Sequence, residues 1–121
     1  MGLFSRIFGS DRDETPVIAI DLAEKKRGLD ELSSALRALT DRMRDDEFPV
    51  DNPGWQGRID DLARARKEAD QLAAQTEFTR QDLYDFGTTV RPLYRGNPPA
   101  EYAALSTENE RVVRALDALL D

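Results

Sequence analysis

The sequence predicts an all-α fold: an up-down-up, antiparallel three-helix bundle with coiled-coil-like seams, preceded by a short amphipathic N-terminal segment. Three observations carry that expectation. A capping residue stands before a proline suited to a first helical position at Thr15-Pro16, Asn52-Pro53 and Asn97-Pro98. An apolar 3–4 repeat follows each of these starts. Alternating apolar and polar runs long enough to organise a sheet are missing. A chain of 121 residues suits one domain with a genuine, if thin, core. The expected divisions are residues 1–8, an amphipathic segment; 9–14, a polar linker; and 15–121, the bundle.

Within the bundle, the first seam runs Ile18, Leu22, Leu29, Leu32, Leu36, Leu39 and Met43, with Lys25 in the one missing slot. Asp21-Leu22-Ala23-Glu24 is a second capping arrangement at which this helix can start, leaving residues 17–20 as an extended lead-in. The helix should end near Asp46. A second seam follows through Ile59, Leu62, Ala65, Ala69, Leu72, Thr76, Thr79, Leu83, Phe86 and Val90. Its small middle residues permit close helix approach. Pro92 should end it at about Arg91. The main expectation is one helix from Trp55 to Val90; the alternative is a break near Thr76 to Thr79, where Thr79-Arg80-Gln81-Asp82 can cap a new helix. The third seam is Tyr102, Leu105, Asn109, Val112, Leu116 and Leu119. Short connections favour antiparallel neighbours.

Function is hinted at chiefly by Met1-Gly2-Leu3-Phe4-Ser5-Arg6-Ile7-Phe8. In a helix, Leu3, Phe4, Ile7 and Phe8 share one face, with Ser5 and Arg6 opposite. The polar stretch from Gly9 to Glu14 makes a tether. An apolar tip on a polar tether suits insertion into a bilayer interface. That is the leading reading; docking on this chain's or a partner's helices comes second, and termini are also commonly disordered. Each large apolar side chain contributes roughly 1.5–3 kcal/mol when fully buried, so one half-buried tip would bind weakly and reversibly. Several tips on one oligomer would gain by avidity. The segment has no signal-peptide architecture, Arg6 stands where a myristoylation motif has Ser or Thr, and no stretch is apolar enough to span a bilayer. These eight residues resemble the amphipathic N-terminal helix of the phage-shock protein A family of membrane-remodelling proteins. That resemblance implies membrane contact by the tip alone. The family continues as an uninterrupted helix, whereas a polar break follows here.

Composition narrows the function classes. The formal net charge is −7, which argues against nucleic-acid binding and for solubility or a basic partner. There is no cysteine and no histidine. Thiolate chemistry, disulfides and the usual neutral-pH general base are therefore absent. No catalytic, cofactor-binding or metal-binding residue is expected, and no small-molecule substrate.

Several further positions each have a functional and a structural explanation. Asn109 occupies a seam position, where a polar residue can set register or oligomer state, or be wet. Lys25 can lay its stem on apolar surface with its amine in water. Opposite charges four residues apart, such as Arg27–Glu31, Arg64–Glu68 and Arg66–Asp70, suit a solvated helix face. The cluster Arg58, Arg64, Arg66 and Lys67 is largely cancelled by neighbouring acids. Asp45, Asp46, Glu47 and Asp51 lack the calcium-loop pattern. Trp55 should cover one end of the core. Tyr84, Phe86, Arg91, Tyr94 and Arg95 form a corner with the composition of an interface hot spot, or of ordinary loop packing.

The expected function is a non-enzymatic helical scaffold or adaptor, cytoplasmic, at the inner face of the cell membrane. Leu3, Phe4, Arg6, Ile7 and Phe8 would make the membrane or partner contact. Its partners would be another protein or a second copy, met through helical faces. The alternative is a soluble protein-binding module, a regulatory subunit or inhibitor, whose N-terminal segment docks on a partner protein.

Overall fold

The computed structural model describes residues 21–45 and 54–121. These are helical and contain no strand. Four α-helices pack together: α1 (Leu22–Met43), α2 (Trp55–Ala73), α3 (Arg80–Gly87) and α4 (Ser106–Leu120), the last preceded by a 3-10 turn over Ala100–Leu105. The segments 1–8 and 9–14, the Thr15-Pro16 and Asn52-Pro53 starts, and Asp46, Glu47 and Asp51 lie outside the described residues.

Local chemistry sets the helix ends. Asp21 caps α1, its carboxylate accepting the Glu24 backbone N–H at 3.1 Å. The first seam is then buried as a stripe: Leu29, Leu32, Leu36, Leu39 and Met43, with Ala35 and Thr40 beside it. In α2, Ile59, Leu62, Ala65, Ala69 and Leu72 are buried. The alanines among them leave room for the α1 backbone.

The long second helix is not formed. α2 stops at Ala73, and the chain bends through exposed Ala74 to Glu77 before buried Phe78. A reciprocal capping box then starts α3. The Thr79 hydroxyl accepts the Asp82 N–H at 3.0 Å, and the Asp82 carboxylate accepts the Thr79 N–H at 2.9 Å. Closing two terminal donors locally makes a new start favourable where the seam supplies only Thr76 and Thr79. Thr79→Ala should therefore destabilise the fold by about 1 kcal/mol in a denaturant titration.

The break changes the topology. α1 and α2 are antiparallel, as expected, with Trp55 beside Met43. α4 is also antiparallel to α1. Arg42 pairs with Glu108 at 3.3 Å, Glu31 with Arg111 at 2.8 Å, and Lys25 reaches Leu119. Chain direction is therefore not up-down-up: α4 runs parallel to α2. The reason is the segment after α3. Gly87 lies against Leu120 at the end of α4, while Leu93 reaches Asn109 near its start. The six residue steps from Gly87 to Leu93 span about 20 Å when extended, close to the length of α4 they retrace. Val90 and Leu93 are buried on the way.

The third start also shifts. Asn97-Pro98 precedes the 3-10 turn, whose first residue is Ala100, and the α-helix begins only at Ser106. The third seam is nevertheless buried throughout: Tyr102, Leu105, Asn109, Val112, Leu116 and Leu119. Lys25 differs from expectation, because its amine is not simply in water. It donates to the carbonyls of Leu119 and Asp121 at 3.0 and 3.3 Å, where a cation complements the end of α4.

Surface charges pair partly as spaced in the sequence. Arg66 meets Asp70 at 3.4 Å, but Arg64 turns to Asp61 at 3.0 Å. Glu31 is taken by Arg111, whose Nε and Nη2 donate to its two carboxylate oxygens at 2.8 and 3.1 Å. The hydrogen bond from Arg111 holds the Glu31 carboxyl below its ordinary range. A lowered folded-state pKa contributes stability above the unfolded value, and this is lost as pH falls through the folded value. Both side chains are substantially exposed, so Glu31→Gln should cost less than about 1 kcal/mol at neutral pH. The difference from wild type should shrink as pH falls below the ordinary glutamate range, as read from urea midpoints at neutral and at acidic pH.

Candidate functional site

The segment from Thr88 to Pro99 has no helix of its own, so its polar backbone needs partners from its neighbours. α4 supplies Asn109, which is fully buried. Its Oδ1 accepts the Leu93 N–H at 2.8 Å, and its Nδ2 donates to the Tyr94 carbonyl at 3.0 Å. Asn109 is thus the seam residue that fastens an extended strap to α4. From α2, Arg58 donates to the carbonyls of Leu93 and Pro92 at 3.0 and 3.4 Å. Two helices therefore grip the same short stretch from two sides. Gly96 turns the strap with φ near +83°, a conformation that side chains disfavour.

Aromatic side chains continue this junction. The rings of Trp55 and Tyr102 stack with centroids 6.1 Å apart, and Tyr102 stacks on Tyr94 at 6.5 Å. Trp55 is half-buried and donates its indole N–H to the Met43 carbonyl at 3.2 Å. It closes that end of the core, as its position suggests. The Tyr94 hydroxyl donates to Glu110 at 3.3 Å. Desolvation, followed by the Glu110 charge, pushes the Tyr94 phenol up from its ordinary value.

The five residues of the corner do not form one patch. Phe86 is buried, and Tyr94 lies in the aromatic stack. Arg95 pairs with Asp117 of α4 at 3.2 Å. Arg91 is exposed on the strap. Tyr84 stands apart on α3 and is 59% exposed, the large hydrophobic side chain left open among the described residues. Arg80 and Gln81 line an open hollow with it. The sequence did not indicate Arg58 or Tyr102 as strap-holding residues. Arg58 sits in a mixed-charge run, and Tyr102 reads only as a seam position.

On the other flank of α3, an open groove of about 310 Å³ separates it from α2. Glu68, Asp82 and Asp85 line it over Leu72 and Phe86. Asp82 is occupied by the capping box, and Asp85 accepts Gln81 Nε2 at 2.7 Å. Among the described residues no acidic group is arranged to hold a metal ion, and no helix is long and apolar enough to cross a membrane. The expected contact residues Leu3, Phe4, Arg6, Ile7 and Phe8 lie outside the described residues. Comparison of the chain with protein-family models, curated proteins and solved structures finds no match in any of the three.

Proposed function

We propose that this protein is a non-enzymatic helical scaffold or adaptor that attaches peripherally to a membrane through Leu3, Phe4, Ile7 and Phe8. The observation that carries the reading is the sequence contrast at the N-terminus. Four large apolar side chains are spaced to share one face of a helix, a polar tether follows, and a bundle whose described residues form a buried apolar core comes next. A domain that buries its seams internally does not need this tip for its core. An apolar tip of this kind suits an interface, at the membrane surface or with a partner protein. In the α2–α3 groove Asp82 and Asp85 are engaged in hydrogen bonds at α3, and the groove is open to solvent, which favours a binding role over catalysis. The cytoplasmic face of the cell membrane, rich in anionic lipid, suits Arg6.

A second reading is favoured by Tyr84. An exposed tyrosine flanked by Arg80 has the composition of an interface anchor. In that reading the protein is a soluble binding module, and a partner protein receives the tip. Circular dichroism of a peptide of residues 1–10 separates the two. The membrane reading predicts helix formation on anionic vesicles. A peptide that stays unstructured there supports the soluble module.

A further inference from the structure

α1 and α4 meet head to tail at one end of the bundle. Lys25, one turn into α1, bonds the last carbonyls of α4. Gly28 packs on Leu119, and Gly87 of α3 packs on Leu120. Residues 1–20 therefore join the bundle at this end. The outer face of α3 is there too. Tyr84 lies one turn before Gly87, on an adjoining side of the helix, and is 59% exposed. With Arg80 and Gln81 it lines an open hollow of about 390 Å³. Leu22 and Leu120, at the same end, are only partly buried.

The geometry points to residues 3–8 of this same chain as the occupant of that face, seated over Tyr84 when no membrane is present. The chemistry matches. Leu3, Phe4, Ile7 and Phe8 supply apolar surface for the tyrosine ring, and the tether's Asp11, Asp13 and Glu14 complement Arg80. The reach is sufficient, because residues 9–21 extend to about 40 Å and start from the end where Tyr84 lies. A short tether also holds the tip at an effective concentration in the millimolar range, so even a weak contact is populated. The seat takes the same side chains as lipid contact, so the two compete, and the seat gives the tip a covered form when lipid is absent.

Disulfide trapping in the full chain tests this cleanly, because the sequence contains no cysteine. Ser10→Cys with Gln81→Cys places thiols on the tether and beside Tyr84. Ser10→Cys with Glu101→Cys is the control, since Glu101 lies at the opposite end beside Tyr102 and Trp55. Without lipid, the first pair should form an intrachain disulfide at least about tenfold faster than the second. Adding Tyr84→Asp to the first pair should slow it several-fold, down to the rate that the tether's nearness alone supplies. Equal rates for the two pairs, a disulfide formed only between chains, or a rate indifferent to Tyr84→Asp would each overturn the proposal. Because lipid is absent, failure here leaves the membrane reading standing, and failure of membrane binding leaves this seat standing.

Discussion

Replacing Asn109 with leucine is expected to destabilise the protein by about 2–4 kcal/mol, although leucine is apolar and of similar size. The cost comes from what is left behind. The Leu93 N–H and the Tyr94 carbonyl lose their partner in a site where Asn109 itself has no solvent exposure. Each buried group without a hydrogen bond costs roughly 1–3 kcal/mol. Arg58 continues to hold the Leu93 and Pro92 carbonyls, so the strap should loosen before the bundle does. Trp55, the single tryptophan, reports on this through the Tyr102–Tyr94 stack. Its emission should change in Asn109→Leu at denaturant concentrations where helix content is still native. Asn109→Asp keeps the acceptor for Leu93 but sets a carboxylate against the Tyr94 carbonyl. Its deficit should shrink as pH falls, because protonation restores a donor. A leucine variant as stable as wild type would mean that the strap does not depend on Asn109.

Leu36→Ala should cost about 2–5 kcal/mol, with the spread set by how far the cavity can collapse. Leu36 is fully buried in α1, the helix that packs against both α2 and α4. α4 is tied to α1 by the Arg42–Glu108 and Glu31–Arg111 pairs, and Trp55 at the start of α2 bonds the Met43 carbonyl, so little collapse is expected. Domains of this size have a total stability of only about 5–15 kcal/mol. A single truncation there takes away a large share. Arg37→Ala, next in sequence and exposed, should stay within about 0.5 kcal/mol. Urea titrations of the two variants side by side would expose any general weakness of α1 as distinct from a cavity effect.

These two residues illustrate how far the sequence is legible. The seam of α1 is buried as its spacing predicts, because a 3–4 repeat forces one face inward whatever the partner. The α4 seam is similarly predictable, Asn109 included. Chain direction was not. Periodicity says which face is buried, but it does not say where the chain reverses. The capping box at Thr79 was visible and competed with a 3–4 repeat that continues through Thr76 and Thr79 to Leu83 and Phe86. The box prevails because two local hydrogen bonds start α3 where the seam is polar and exposed. The strap was invisible in the sequence, since Val90, Leu93 and Arg58 act through contacts between distant segments. The Tyr–Arg corner followed from composition alone, and the structure scatters it, with Phe86 inside and Tyr84 outside. The N-terminal tip remains a reading of side-chain pattern, which makes its direct test the decisive one.

That test is vesicle co-flotation of the full chain and of a variant lacking residues 2–8, on anionic and on neutral liposomes, with solution mass measured on the same samples. The account predicts that the full chain floats with anionic vesicles and that the deletion variant stays at the bottom with its helix content unchanged. A mass above that of a single chain would add avidity between tips. Flotation of neither form, or equal flotation of both, would contradict attachment through Leu3, Phe4, Ile7 and Phe8.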